Sequence, residues 1–199
     1  MSYTPSDGDA RLEFGFERSV CACHECTANC KFIPGYLVPA DIERISRSLG
    51  YSNVITFALE NLVASPGATV MDAEGQVFQI PTLVPRRKEE DSSCVFLDAN
   101  ERCAIHAVSP FGCSFFDAHQ PDAEANRRSS RGLQEIARCW AAGGSSVYTA
   151  LWRLLFEAGL RAVPPQVARR RMKEAASSAR QSRREVSESD ERTTTDNGS

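Results

Sequence analysis

The 199-residue sequence has no long apolar run. Its most apolar stretch, Val147 to Leu160, is interrupted by Arg153 and Glu157. That stretch is too short for the roughly 30 Å of a bilayer's hydrocarbon, so no transmembrane helix is expected. Residues 1–16 carry Asp7, Asp9 and Glu13 without an apolar segment, a pattern unlike a secretory signal. Neither sign of charge dominates: 23 Lys and Arg stand against 26 Asp and Glu, a formal net charge of -3. An overall basic field for a nucleic-acid backbone or an anionic membrane is therefore excluded, and any such binding must be local. A Gly-rich phosphate loop, a G-x-S-x-G elbow and an H-E-x-x-H pair are also missing.

With 42% apolar and 25% charged residues the composition is that of an ordinary globular chain. At roughly 150 residues per domain it predicts one domain with a tail. We divide it into a flexible N-terminal arm at 1–10, a domain at 11–163 and a charged tail at 164–199. Only seven of the 35 residues from Pro165 to Ser199 are apolar, too few to offset the entropy of ordering them, so the tail is expected to be disordered. Its basic run, Arg169, Arg170, Arg171, Lys173, Arg180, Arg183 and Arg184, is offset by the acids that follow it. The run reads as a solvated segment rather than a nucleic-acid arm.

Within the domain, Leu12, Phe14 and Phe16 alternate in an otherwise polar lead-in. Pro39 to Leu49 starts with proline, carries Ile42, Ile45 and Leu49 on one face and stops at Gly50, the pattern of a short amphipathic helix. Asn53 is placed to cap a second helix that carries Phe57, Leu59, Leu62 and Val63 and ends at Ser65-Pro66-Gly67. Residues 69–84 suggest a hairpin turning at Asp72 to Gly75, its second strand closed by Pro81 and Pro85. Cys94 to His106 suggests a smaller one turning at Asp98 to Glu101. Helices are expected over about 123–142 and 146–157, separated by Gly143-Gly144. Trp140, Tyr148, Trp152 and Phe156 read as core rather than as a platform for stacking bases. The fold class is α+β and helix-rich.

The eight cysteines carry the chemistry. Without a secretory signal the cytoplasm is the expected compartment, and its reducing conditions shift clustered thiols from disulfides towards metal or redox roles. Cys21, Cys23, Cys26 and Cys30 form C-x-C-x2-C-x3-C, and such short gaps let a turning backbone bring soft thiolates around one ion. Cys94, Cys103 and Cys113 form a second group without a C-x2-C knuckle, which excludes a two-knuckle zinc ribbon. The gap order also excludes the radical-SAM and bacterial ferredoxin runs. These seven thiols are the candidate metal ligands, and Cys139, beside Leu133, Ile136 and Trp140, reads as core. His24 and His106 suit orienting or packing roles, and His119, six residues past Cys113, either ligates or caps. Zinc and an iron–sulfur cluster each take four protein ligands, so seven thiols imply a subset or two metals. An anionic thiolate centre needs backbone donors or cations such as Lys31 and Arg102 around it.

The ordered series Cys23-x2-Cys26-x3-Cys30, Pro34-Gly35-Tyr36-Leu37, Pro39 to Ile45, Cys94 to Leu97, Cys103 to His106 and Pro110-Phe111-Gly112-Cys113 resembles the CxxCxxCC (putative zinc- or iron-chelating) family, the YkgJ-like cysteine-cluster proteins. The resemblance covers about residues 21–120. It implies a cytoplasmic metal or iron–sulfur centre built from both cysteine groups, with helices packed around it and mostly no assigned reaction; we expect the centre, zinc or iron–sulfur, to staple the helix pair to the small hairpins. Asn29 stands where that family usually has a cysteine, and Cys21 is the expected substitute. Ser109 and Ser114 stand where arginine is common. The expected function is metal binding, with the metal ion as partner and a protein as a further candidate. The alternatives are an enzyme or accessory factor using the centre for thiol redox chemistry or protein or peptide modification, and, more weakly, a nucleic-acid adaptor using the tail.

Overall fold

The structure is a computed structural model that describes residues 14–19, 21, 23–71, 75–141, 143, 145–163, 167, 170, 173 and 174. The chain divides into two units, 1–163 and 164–199. In the second, the described residues Val167, Arg170, Lys173 and Glu174 are helical, and Arg170 pairs with Glu174 at 3.5 Å. The rest of the tail, with most of its basic run, lies outside the described residues, as do residues 1–13 with Leu12. Among the described residues no helix is long and apolar enough to cross a membrane.

Unit 1 is α+β and helix-rich. Its elements are α1 (His24–Phe32), α2 (Pro39–Ser48), α3 (Val54–Asn61), β1 (Leu62–Met71), β2 (Val77–Pro85), α4 (Phe111–Ser114), α5 (Asp122–Ala141) and α6 (Val147–Glu157). Helix α2 starts where the chain needs no amide donor, at Pro39, and buries Ile42 and Ile45. The Asp41 carboxylate, fully buried, accepts the Val38 N–H at 2.9 Å and the Phe111 N–H at 2.8 Å. Its other oxygen takes Arg44 at 2.6 Å. One acid thereby caps α2 and pins the start of α4 against it. Asn53 caps α3 as expected, its side-chain oxygen accepting from the Ile55 amide at 2.7 Å.

Three expectations change. Helix α3 ends at Asn61, and the chain turns extended at Leu62, so Leu62 and Val63 open β1 instead of closing a helix. Ser65-Pro66-Gly67 is then no terminating turn but a bulge: Ser65 pairs with Thr82 and Ala68 with Ile80, leaving Pro66 and Gly67 opposite Pro81. Both prolines lack the amide a ladder needs, so the bulge accommodates them and β2 runs through Pro81 to Pro85. Gly67 has φ +87°, and a Cβ there would meet the Ile80 carbonyl oxygen at 1.7 Å. The second expected hairpin shrinks to isolated bridges, Leu97 with Cys103 and Arg87 with Cys94. Asp98 explains why: its carboxylate accepts from the amides of Asn100 and Arg102, both at 2.8 Å, and curls the loop too tightly to extend the ladder. The described part of the lead-in, from residue 14 onward, packs on the core. Phe14 and Phe16 are buried and meet Phe115 edge-on at 5.8 and 6.0 Å.

Helices α5 and α6 form as their periodicity predicts, with Ser146 capping α6 through the Thr149 amide at 3.2 Å. Helix α6 covers β1 and α3, and α5 covers β2. The core holds Leu37, Ile45, Phe57, Leu83, Phe111, Phe115, Ile136 and Leu155. Cys139, Trp140 and Trp152 pack partly buried against it. The aromatic stripe ends at Phe156, which is 38% exposed and stacks on Trp152 at 4.9 Å.

Tyr148 joins three layers. Its buried hydroxyl donates to the Leu37 carbonyl at 2.9 Å and accepts the Leu83 N–H at 2.8 Å. Tyr148→Phe leaves both backbone groups buried without this partner, so we expect a loss of about 1–3 kcal/mol in chemical denaturation, with the folded-state spectrum unchanged. A stability equal to wild type would show that the hydroxyl is dispensable.

Candidate metal centre

Helix α1 lacks an apolar face, and none of its described residues is buried. Its N-cap is Cys23, extended at φ -66° and ψ 166°, with the Cys26 backbone amide acting on its thiol. Cys26 follows one turn on. Cys21 sits just before the helix, its amide reaching the Ser19 hydroxyl at 3.4 Å. That hydroxyl donates to Asp117 at 2.8 Å, and the Ser19 N–H reaches the Ser114 carbonyl at 2.8 Å. Asp117 in turn accepts the His119 amide at 2.9 Å. Arg128 of α5 holds the same turn by donating to the Phe115 carbonyl at 2.9 Å. A histidine about 90 residues further along the chain is thus set beside α1 by polar contacts, not by the core.

The outcome is one compact donor set. Ligand atoms of Cys21, Cys23, Cys26 and His119 all lie within 4.8 Å of one another. His119 Nε2 is 3.1 Å from Cys23 Sγ, and the opposite ring nitrogen, Nδ1, faces the Glu25 carboxylate at 3.8 Å. A metal-binding imidazole is usually oriented in this way, by a carboxylate on its far nitrogen. The Ala118 N–H points at Cys26 Sγ at 3.2 Å.

Electrostatics separate the two helix thiols. The Cys26 backbone amide and then His119 draw Cys23 down to about 6, whereas desolvation pushes Cys26 up to about 11. His119 is raised, first by its bond to Cys23. Asp117 is lowered by the Ser19 hydroxyl and the His119 amide.

Of the seven cysteines predicted from sequence, Cys21, Cys23 and Cys26 come together here. Asn29 is exposed on α1, and Cys21 joins the set from the other end of the motif. The Cys30 side chain lies outside the described residues, as does that of His24. Cys94, Cys103 and Cys113 gather elsewhere, close enough to act on each other electrostatically. Among the described residues they are not a set with all three sulfurs within 4.8 Å. Burial raises Cys94 to about 11 and pushes Cys113 well above the ordinary thiol range. The Gly35 N–H meets Cys113 Sγ at 3.2 Å. Lys31 and Arg102, read as compensating cations, are each paired with an acid instead, Glu101 and Asp98. The cations acting on Cys94 are Lys88 and Arg87. Ser109 and Ser114 bond to each other at 2.9 Å, and Arg18 from the lead-in donates to the Ser109 hydroxyl at 3.0 Å.

His119 is the member of this compact donor set that sequence reasoning left between ligating and capping. Its signal, a histidine after Cys113 beside an aspartate, does not reveal that the turn folds back on α1. Residues 22–132 match the family model described as CxxCxxCC, putative zinc- or iron-chelating domain. No curated protein and no solved structure matches the chain.

Proposed function

The chain belongs to the CxxCxxCC family, whose model spans more than half of it, and from that premise we propose that it holds one zinc ion on Cys21, Cys23, Cys26 and His119. The observation that carries this reading is the mutual spacing of the four ligand atoms, within 4.8 Å. Thiolates about 2.3 Å from a tetrahedral zinc stand roughly 3.8 Å apart, so the set needs only small adjustment to close on the ion. Three sulfurs and one imidazole nitrogen are a zinc donor set of the structural kind, and Glu25 supplies the outer carboxylate. When bound, the ion supplies a closed, redox-inert cross-link between the start of α1 and the turn before α5. The described cysteines are free thiols, which suits the reducing cytoplasm.

Zinc titration against a competing chelator tests the reading. Wild type should take up one tightly held zinc with release of thiol protons into the medium, since only thiolates ligate. Cys23→Ser should abolish that uptake. Glu25→Gln should keep the stoichiometry and weaken the affinity by about 10-fold. Undiminished zinc uptake by Cys23→Ser would overturn the ligand assignment.

A further inference from the structure

We infer that Cys23 and Cys26 are a disulfide-forming pair, an oxidation site at which hydrogen peroxide converts two thiols of the compact set into one intrachain disulfide. The geometry at the start of α1 selects this pair among the described cysteines. The Thr27 N–H closes the first helical turn on the Cys23 carbonyl at 2.9 Å, so helix geometry sets the Cα atoms of Cys23 and Cys26 about 5 Å apart. That spacing lies inside the window of roughly 4.4–6.8 Å that a disulfide spans. Their sulfurs lie within 4.8 Å of each other and need to approach by less than about 3 Å to reach bonding distance. Cys21 stands before the helix, outside that turn.

The pair is open to a small oxidant. Cys23 and Cys26 are only partly buried, and Cys21 beside them is exposed. His119 and Glu25, which flank the sulfurs, have exposed side chains as well. Cys94, by contrast, is buried. The helix that carries the pair can also yield to a new bond, because none of its described residues is buried.

The reaction balances on thiols and peroxide alone. The Cys23 thiolate attacks one oxygen of hydrogen peroxide, the O–O bond breaks, and the departing hydroxide takes a proton to become water, leaving Cys23 as a sulfenic acid. The Cys26 thiolate then attacks that sulfur. The S–S bond forms, the S–O bond breaks, and the released hydroxide is protonated to a second water. Two thiolates, one peroxide and two protons thus give one disulfide and two waters, and the two electrons lost by sulfur are gained by the peroxide. Zinc has no redox chemistry and takes no part in the transfer. A disulfide offers no thiolate, so oxidation leaves only Cys21 and His119 of the four donors and expels the ion. This consequence, unlike the pairing itself, rests on the zinc reading above.

The test is peroxide titration of the full chain, zinc-loaded and stripped of zinc, with free thiols then blocked by N-ethylmaleimide and the bonds located by mass spectrometry with sequence-resolved fragmentation. Wild type should form the Cys23–Cys26 bond in both states, reversibly on adding dithiothreitol, and the loaded chain should release one zinc per disulfide to a chromophoric chelator. In the stripped chain Cys21→Ser should form the bond as wild type does. Cys26→Ser removes the resolving thiol and should raise dimedone trapping of a sulfenic acid at Cys23 by at least about 10-fold. Unchanged trapping, a wild-type bond from Cys23 to any other cysteine, or a fall of about 10-fold or more in Cys21→Ser would each overturn the pairing. A Cys23–Cys26 bond formed with the zinc still held would overturn the expulsion of the ion. Wild type that forms the bond but takes up no zinc would sink the zinc reading and leave the disulfide standing. Zinc uptake with Cys23 and Cys26 both still blocked by the maleimide after peroxide would do the reverse.

Discussion

Gly35→Ala is expected to unfold the protein or to lower its stability by more than about 3 kcal/mol, beyond the usual range for an overpacked site. A Cβ on Gly35 would lie 2.0 Å from the Gly112 carbonyl carbon, 2.3 Å from its oxygen and 2.5 Å from the Cys113 nitrogen. All three are backbone atoms. They cannot swing aside as a side chain would, and moving them drags Phe111, fully buried and held through its amide by Asp41, out of the core. The control is Gly50→Ala, where φ is +79° but nothing lies within 4 Å; only the left-handed backbone penalty, about 1 kcal/mol, applies. Denaturant midpoints of the two variants should therefore separate widely. Similar midpoints would show that the crossing at residues 35 and 112 yields more easily than its geometry indicates.

For the zinc centre proposed above, removing the ion is expected to release α1 while the remainder stays folded. The helix buries none of its described residues. It is held by the Cys94 amide on the Lys31 carbonyl, by Arg87 on the Phe32 carbonyl, by Lys31 on Glu101, and by the contacts of Cys23 and Cys26 to His119 and Ala118. By contrast α2, α3 and α6 each set apolar residues in the core. Amide hydrogen exchange reads the difference: on chelation, residues 24–32 should lose protection by at least 10-fold while residues 42–46 and 148–155 keep theirs. His119→Ala should give the same pattern without a chelator. Uniform loss of protection across the chain would instead make the centre essential to the whole fold.

The helices that bury a face were legible in the sequence, because a stripe such as Ile42 and Ile45, a cap such as Asn53 or Ser146 and a stop such as Gly50 are local signals. Helix α1 was not, since nothing in its sequence repeats at helical spacing apart from the cysteines themselves. The early start of β1 escaped because Leu62 and Val63 suit the end of a helix as well as the start of a strand. What decides between them is pairing with Val84 and Pro85, more than 20 residues away. At the site, short spacing placed Cys21, Cys23 and Cys26 together, and the family resemblance pointed to metal. The division of the thiols was hidden for the same reason as β1: a turn fastened by Ser19, Asp117 and Arg128 brings His119 back to α1, and no periodicity announces such a turn.

In the proposed zinc centre, the distance along the chain between Cys23 and His119, 96 residues, sets a delay during synthesis. At a ribosomal pace of roughly 5–20 residues per second, the thiols of Cys21, Cys23 and Cys26 wait for about 5–20 s before His119 exists. Throughout that interval they are solvent-facing sulfurs without a fourth partner, open to oxidants and to whichever soft metal reaches them first. Fidelity of loading then depends on exchange after release, when His119 arrives and a site still exposed at Cys21 lets a wrongly bound ion leave.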